Sequence, residues 1–280
     1  MRVTFHGVRG STPQSGPGYE RFGGHTSSLA VAAGDSAGND LPTLLLDAGT
    51  GLLSLTRVFA GAAFCGTIVL THLHWDHLQG LPFFPPADRD DARVTLFQPA
   101  QGDAVEVLSR AMSPPHFPIG PEGLNGTWSH RALDPGVHEI EGFTMGAADM
   151  PHKGGRTFGY RISSDTGTFA YIPDHCPTSM GRGPDGLGAR HENAMALAQG
   201  VDVLVHGAPF VVSEIERATL YGHSTAEYAV ALAKDAGVGR LILTHHAPFR
   251  DDDAVEAIAA AHTSAELSVH AAREGDTFTL

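Results

Sequence analysis

Two cysteines, Cys65 and Cys176, stand in a chain of 280 residues. That is too few for a disulfide framework, and a reducing cytoplasm is the expected compartment. Basic side chains are scarce as well: 18 Lys and Arg against 31 Asp and Glu leave a net charge of −13 with His neutral. A field of that sign repels long polyanions, so nucleic-acid binding through a basic surface is not expected. No apolar run approaches the roughly 20 residues of a membrane span, and the opening MRVTFHGVRG lacks the apolar centre of a signal peptide. No composition shift marks a linker, so residues 1–280 are expected to form one domain. The hydrophobic share, 42%, and the charged share, 18%, are those of a globular chain with a sizeable core. Histidine alone is plentiful: its count of 17 nearly equals that of Lys and Arg together, a hint of metal chemistry.

Short apolar runs read as buried strands, and many end on a polar residue. Leu44–Leu46 leads into Asp47, Thr67–Leu70 into Thr71 and His72, and Phe169–Ile172 into Pro173 and Asp174. Val203–Val205 leads into His206 and Gly207, and Leu241–Leu243 into Thr244 and His245. Polar groups just past strand ends are the mark of an α/β site built at the carboxyl edge of a sheet. Between these runs, Ser224 to Ala236 has helical spacing, with Ser224 as cap, Glu227 completing a capping box and Gly237 as the stop. A second helix is expected from about Asp252 to Ala261, with Asp251-Asp252-Asp253 as a solvated acidic cap. Ser113 to Ser129, rich in Pro and Gly, is a candidate loop or lid. A faint internal echo links Gly66-Thr-Ile-Val-Leu-Thr-His72 with Gly239-Arg-Leu-Ile-Leu-Thr-His245.

The strongest signal is His72-Leu73-His74-Trp75-Asp76-His77, directly after a strand. In extended chain His72 and His74 point to one side, and Asp76 and His77 follow as the chain turns toward another point. That arrangement suits two neighbouring cations better than one. Imidazole with carboxylate suits Zn²⁺, or Mn²⁺ and Fe where oxygen dominates. Further ligands must come from elsewhere, and His152, Asp174 and His245 are the candidates near strand ends.

The run resembles the HxHxDH signature of the metallo-β-lactamase superfamily, and the later candidates resemble its remaining motifs in order along nearly the whole chain. Within it the chain looks most like the phosphodiesterase and ribonuclease Z branch; Gly7 to Pro13 and Gly23-Gly24-His25-Thr26-Ser27 are similar to that branch's opening. The resemblance implies an αββα sandwich, with two facing mixed sheets and helices outside. It implies one metal at His72, His74 and His152, a second at Asp76, His77 and His245, Asp174 bridging, and a mainly structural Asp47. His245 is chosen over His246 because the last ligand follows a Leu-Thr pair. Cys176 is read as a structural thiol. Gly222-His223-Ser224-Thr225 resembles the branch's His-Ser-Thr segment, which makes His223 the candidate proton-transfer residue beside a catalytic Asp76. The branch pairs that His with an acid after a strand; here the position is Gly207, with Glu214 or Glu216 as downstream substitutes.

Two divalent ions, most simply Zn²⁺, can hold a bridging hydroxide and clamp an in-line displacement. The expected activity is hydrolysis of a small or cyclic-nucleotide phosphodiester. The alternatives are RNA 3′-end processing, lactone or ester hydrolysis, and metal or nucleotide binding without turnover. A small anionic substrate is the expected partner, with no membrane, and a homodimer by analogy with the superfamily.

Overall fold

Strands whose residues are apolar at every position must be covered on both faces, and that requirement organises the molecule. The structure, a computed structural model, describes residues 1–34 and 40–280. The first sheet has β1 (Arg2–Gly7), β2 (Ser28–Ala32), β3 (Leu44–Leu46), β4 (Cys65–Val69), β5 (Arg93–Pro99) and β6 (Thr127–Leu133). The second has β7 (Gly136–Ile140), β8 (Phe143–Asp149), β9 (Phe158–Ser164), β10 (Gly167–Ile172), β11 (Val203–Gly207), β12 (Arg240–Thr244) and β13 (Ser268–Ala271). The last strand, β14 (Thr277–Thr279), returns to β1, giving the orders β14-β1-β2-β3-β4-β5-β6 and β13-β12-β11-β10-β9-β8-β7.

Alternation along each strand splits its side chains between layers. Leu44, Leu46, Val69, Phe169, Tyr171, Val203 and Val205 meet in the core between the sheets. Leu45 and Ile68 face outward beneath α1 (Gly51–Leu55) and α2 (Trp75–Leu78), with Leu52, Leu55 and Leu78 over them. Ala170, Ile172, Leu204, Leu241 and Leu243 face the other side, covered by α4 (Glu192–Ala198) and α6 (Ala226–Asp235). The remaining helices are α3 (Ala104–Ser109), α5 (Ile215–Tyr221) and α7 (Asp252–His262). The architecture is the expected αββα sandwich. Among the described residues no helix is long and apolar enough to cross a membrane.

Each sheet is half parallel. β3, β4, β5 and β6 run parallel in the first, and β10, β11, β12 and β13 in the second. The carboxyl ends of β3, β4, β10 and β12 therefore deliver Asp47, His72, Asp174 and His245 to a common edge. The two segments of the internal echo end β4 in one sheet and β12 in the other.

Three local expectations change. The α6 cap is Thr225, whose hydroxyl accepts from the Tyr228 amide, while Ser224 donates to the Gly207 carbonyl 2.6 Å away. Glu227 therefore forms no capping box. The acidic run before α7 is not simply solvated: Asp251 caps the helix, but Asp252 is 3% exposed and ion-pairs with Arg9 at 2.6 Å. The segment 113–129 is no lid either. Phe117 and Trp128 pack on the outer core of the first sheet, and none of these residues lines the cleft described below. The segment is a loop up to residue 126, as its composition suggests, and its two aromatics seat it on the sheet.

His6, in β1, shows what burial costs at this sheet. Burial, and then nearby His25, push its imidazole from 6.5 down to about 4. The folded chain thus holds His6 neutral while the unfolded chain protonates it near 6.5, so this stability is complete above that value and is lost as pH falls toward 4. Between pH 7 and pH 5 the loss is about 2 kcal/mol. Urea denaturation at the two pH values should show a correspondingly smaller drop for His6→Gln; equal drops would show that His6 carries none of the acid sensitivity.

Candidate metal centre

The loop after β4 sets the geometry. His74 caps α2 in extended conformation, and the single helical turn that follows buries Asp76 and His77 while leaving Trp75 73% exposed. His152 comes from the loop between β8 and β9, and His223 from the junction of α5 and α6. One ligand atom each from His72, His74 and His152 lies within 4.8 Å of the others, and the same holds for Asp76, His77 and His245. His74 Nδ1 and His152 Nε2 stand 3.3 Å apart. In the second triad His77 Nε2 and His245 Nε2 are 3.3 Å apart, and Asp76 Oδ2 is 3.1 Å from His245 Nε2.

Asp174 joins the two triads through separate oxygens. Its Oδ2 lies 3.1 Å from His77 Nε2 and 3.5 Å from His245 Nε2. Its Oδ1 lies 3.6 Å from His152 Nε2 and 3.3 Å from His223 Nδ1. The structure thus brings all seven expected ligand residues to one point, with His223 beside them.

Surrounding groups fix which ring nitrogens face inward. The Nδ1–H of His77 donates to Asp47 Oδ2 at 2.8 Å, and that of His152 donates to the Gly222 carbonyl at 2.6 Å. Each ring then turns its Nε2 into the centre. His72 Nε2 is buried without any hydrogen-bond partner. Inward-facing ring nitrogens at such spacing, in a site where unpaired polar atoms cost on the order of 1–3 kcal/mol each, fit divalent cations well.

Electrostatics divide the centre. Burial, then His77, push His72 well below the usual range, and burial, then His152, lower His74, so these two imidazoles are held neutral. Burial opposes charge on Asp76 and Asp174 too, but His77 and His245 hold both carboxyls well below their usual range. Against the same burial, Asp76, Asp47 and Asp174 hold His77 well above its ordinary value. Against burial again, Asp174 and Asp76 raise His245 as well, so the carboxylates of the second half draw positive charge onto the imidazoles beside them. Nitrogen donors on one side and mixed nitrogen and oxygen on the other are a donor set for Zn²⁺, and Mn²⁺ or Fe share it.

The residues around the ligands take distinct places. Asp47, at φ +62°, accepts from the Thr71 amide at 2.7 Å, the Thr71 hydroxyl at 2.9 Å and the Tyr171 hydroxyl at 2.9 Å, besides His77. His246 faces away, its ring bonded to the Ala272 carbonyl at 2.9 Å. Cys176 is buried with its thiol near Thr178, and Cys65 is exposed on β4. Gly207 cannot be an acid in this backbone, because a Cβ there would lie 1.7 Å from the Pro173 carbonyl oxygen. Neither downstream substitute serves: Glu214 ion-pairs with Arg250, Glu216 is exposed, and neither lines the cleft. The carboxylate nearest His223 is Asp174.

Sequence reasoning missed the loop 9–12. The Ser11 amide donates to Asp76 Oδ2 at 2.7 Å, orienting that carboxylate from the backbone. Arg9, wholly buried, holds the loop by donating to the Gly23 carbonyl, the Arg250 carbonyl and Asp252. Gly10 is required there, since a Cβ would sit 2.2 Å from His245 Nδ1. The available signal was Arg9 itself, a lone cation between glycines in an acidic chain.

Residues 43–246 match the β-lactamase superfamily domain, and the chain belongs to that family. It is a metal-dependent hydrolase of metallo-β-lactamase fold. Ribonuclease Z of Limosilactobacillus fermentum is 30% identical over 223 residues, which are 62% of this chain and 67% of that protein. The metallo-β-lactamase fold protein YhfI of Bacillus subtilis superposes with a TM-score of 0.70 at 19% identity, covering 99% of this chain and 98% of that one. The short form of human tRNase Z superposes with a TM-score of 0.67 at 19% identity, covering 100% and 99%.

Asp47 receives four donors in a dry site, and removing one partner of a buried pair costs about 3–5 kcal/mol. Asp47→Ala should lose that much stability in urea and should retain less metal by elemental analysis than the parent chain. Full metal content in a destabilised variant would restrict Asp47 to a folding role.

Proposed function

We propose that residues 1–280 act as one phosphodiesterase unit on a small phosphodiester, a cyclic nucleotide among the candidates. The observation that carries this reading is the pair of ligand triads sharing Asp174 at the floor of a cleft of about 620 Å³. Clefts of roughly 300–1,000 Å³ take small molecules. His72, His74 and His152 would hold one cation, and Asp76, His77 and His245 a second, with Asp174 between them; Zn²⁺ suits the set. Divalent cations bound there lower the pKa of water and polarise a phosphoryl oxygen.

The chain's own residues do the rest. Asp47 and Gly222 keep the donor nitrogens of His77 and His152 turned inward. The Ser11 amide keeps Asp76 aimed at the second triad. Burial pushes His223 from 6.5 down to about 3, so its ring is neutral at pH 7. Asp174 Oδ1, 3.3 Å from Nδ1, favours the proton on that nitrogen, so Nε2 first takes a proton from the attacking water and then returns it to the leaving oxygen.

RNA 3′-end processing is the second reading, favoured by the name of the ribonuclease Z relative. That likeness weakens the exclusion of nucleic acid drawn from net charge. The absent acid at position 207 argues the other way.

Metal-loaded protein should hydrolyse bis(p-nitrophenyl) phosphate and at least one cyclic nucleotide, with lactones and precursor tRNA assayed beside them. Cleavage of lactones alone would reject the reading, and cleavage of precursor tRNA alone would replace it with RNA processing. Asp76→Ala should lose about one metal equivalent together with turnover.

His223→Ala should depend on the leaving group. The loss should reach roughly 10²–10⁴-fold in kcat for a nucleoside leaving group and be at least about tenfold smaller for p-nitrophenolate, which leaves without a proton. Equal losses on both substrates would remove His223 from proton transfer.

A further inference from the structure

The wall of the cleft away from the ligands is aromatic and carries one cation. Among the described residues lining it, Arg217 in α5 is the single Lys or Arg. Its guanidinium lies 4.2 Å from the ring centroid of Phe249, 5.7 Å from that of Tyr221 and 5.8 Å from that of Phe210. Phe210 and Tyr221 are stacked within 4° of parallel, and the Phe210 ring is 6.1 Å from the ring of His223. Arg217 is thus one phenyl ring away from the residue beside Asp174.

A neighbouring cation is engaged. Arg250 also lies over Phe249, but it ion-pairs with Glu214 and donates to the Pro209 carbonyl. Arg217 makes no hydrogen bond or ion pair with any described residue. Its guanidinium lies against aromatic rings, and none of its N–H donors is taken by a carboxylate or carbonyl of a described residue. In a chain with a net charge of −13, a cation left without a carboxylate partner in the wall of the reactive cleft is arranged for an anion that arrives from outside.

We propose that Arg217 reads a second anionic group, a phosphate or carboxylate, carried by the substrate on the far side of the bond that is cut. The proposal rests on the phosphodiesterase reading for which group is cut, and it adds what the substrate carries beyond that group. Bidentate guanidinium contacts to phosphate or carboxylate supply both affinity and orientation. The aromatic floor fixes the plane in which the guanidinium meets its ligand.

The test uses two matched pairs. Binding of thymidine 5′-monophosphate and thymidine 3′,5′-bisphosphate to metal-loaded protein is measured by calorimetry. Turnover is measured on the p-nitrophenyl ester of thymidine 5′-phosphate with and without a 3′-phosphate. A carboxylate-bearing analogue in place of the 3′-phosphate separates the two anion chemistries. The parent chain should bind the bisphosphate at least about tenfold more tightly than the monophosphate. Arg217→Gln should abolish that preference, Arg217→Lys should keep only part of it, and hydrolysis of bis(p-nitrophenyl) phosphate should stay within about threefold. Arg217 is exposed, and an unchanged thermal transition in each variant checks that losing its contacts with Phe249 and Phe210 leaves the fold intact. Equal binding of both nucleotides by the parent chain, or an unchanged preference in Arg217→Gln, overturns the proposal even if the esters are hydrolysed. An Arg217-dependent preference in binding without turnover of either ester upholds the anion site and rejects the phosphodiesterase reading instead.

Discussion

The carboxylate of Asp174 is the constraint to which the centre answers. It is 1% exposed, at the end of a strand in the middle of the second sheet, and its two oxygens address two different groups of imidazoles. A charge so deeply buried is tolerable only among compensating groups. Those groups come from both sheets: His77 and His72 follow β4, His245 follows β12, and His152 precedes β9. The two layers must therefore meet at one edge in a fixed relation, and the core of Leu44, Leu46, Val69, Phe169 and Tyr171 behind the edge sets that relation.

Local strain gathers at this edge. Asp47 and His245 both adopt φ near +60°, a conformation that side-chain-bearing residues rarely take. In each case tertiary contacts specify it. Asp47 is locked by donors from Thr71, His77 and Tyr171, and His245 by the close approach of Gly10 on one side and Asp76 on the other. The Arg9–Asp252 pair works one layer further out. It fastens the opening loop to α7 and thereby delivers the Ser11 amide to Asp76. Direct ligands, the groups that orient them, and the clamp that seats those groups form one continuous chain of contacts.

Much of this was legible in the sequence, for identifiable reasons. A strand covered on both faces reads as a short apolar run, so β3, β4, β10, β11 and β12 were visible, and so were the polar residues at their ends. The cluster from His72 to His77 carries its own spacing. What stayed hidden depends on distant partners. Asp252 reads as a surface cap until Arg9 arrives 243 positions away. Nothing near Ser11 announces that its backbone serves Asp76, because an amide has no residue type. The cap of α6 falls on Thr225 since the hydroxyl of Ser224 is drawn to the Gly207 carbonyl. The segment 113–129 reads correctly as a loop up to 126, but its Pro and Gly do not tell a lid from a loop that Phe117 and Trp128 seat on the sheet.

Position 207 joins the fold to the chemistry. The backbone of β11 passes so close to Pro173 that no side chain fits, and Pro173 is the residue that carries the chain into Asp174. An acid at that place would have to push the Asp174 segment away from the ligands. The same tight approach that excludes a separate acid brings Asp174 itself within 3.3 Å of His223. One carboxylate thereby stands both between the two triads and against the His223 ring. The two placements meet at a single atom, because Oδ2 faces His77 and His245 while Oδ1 faces both His152 of the first triad and His223.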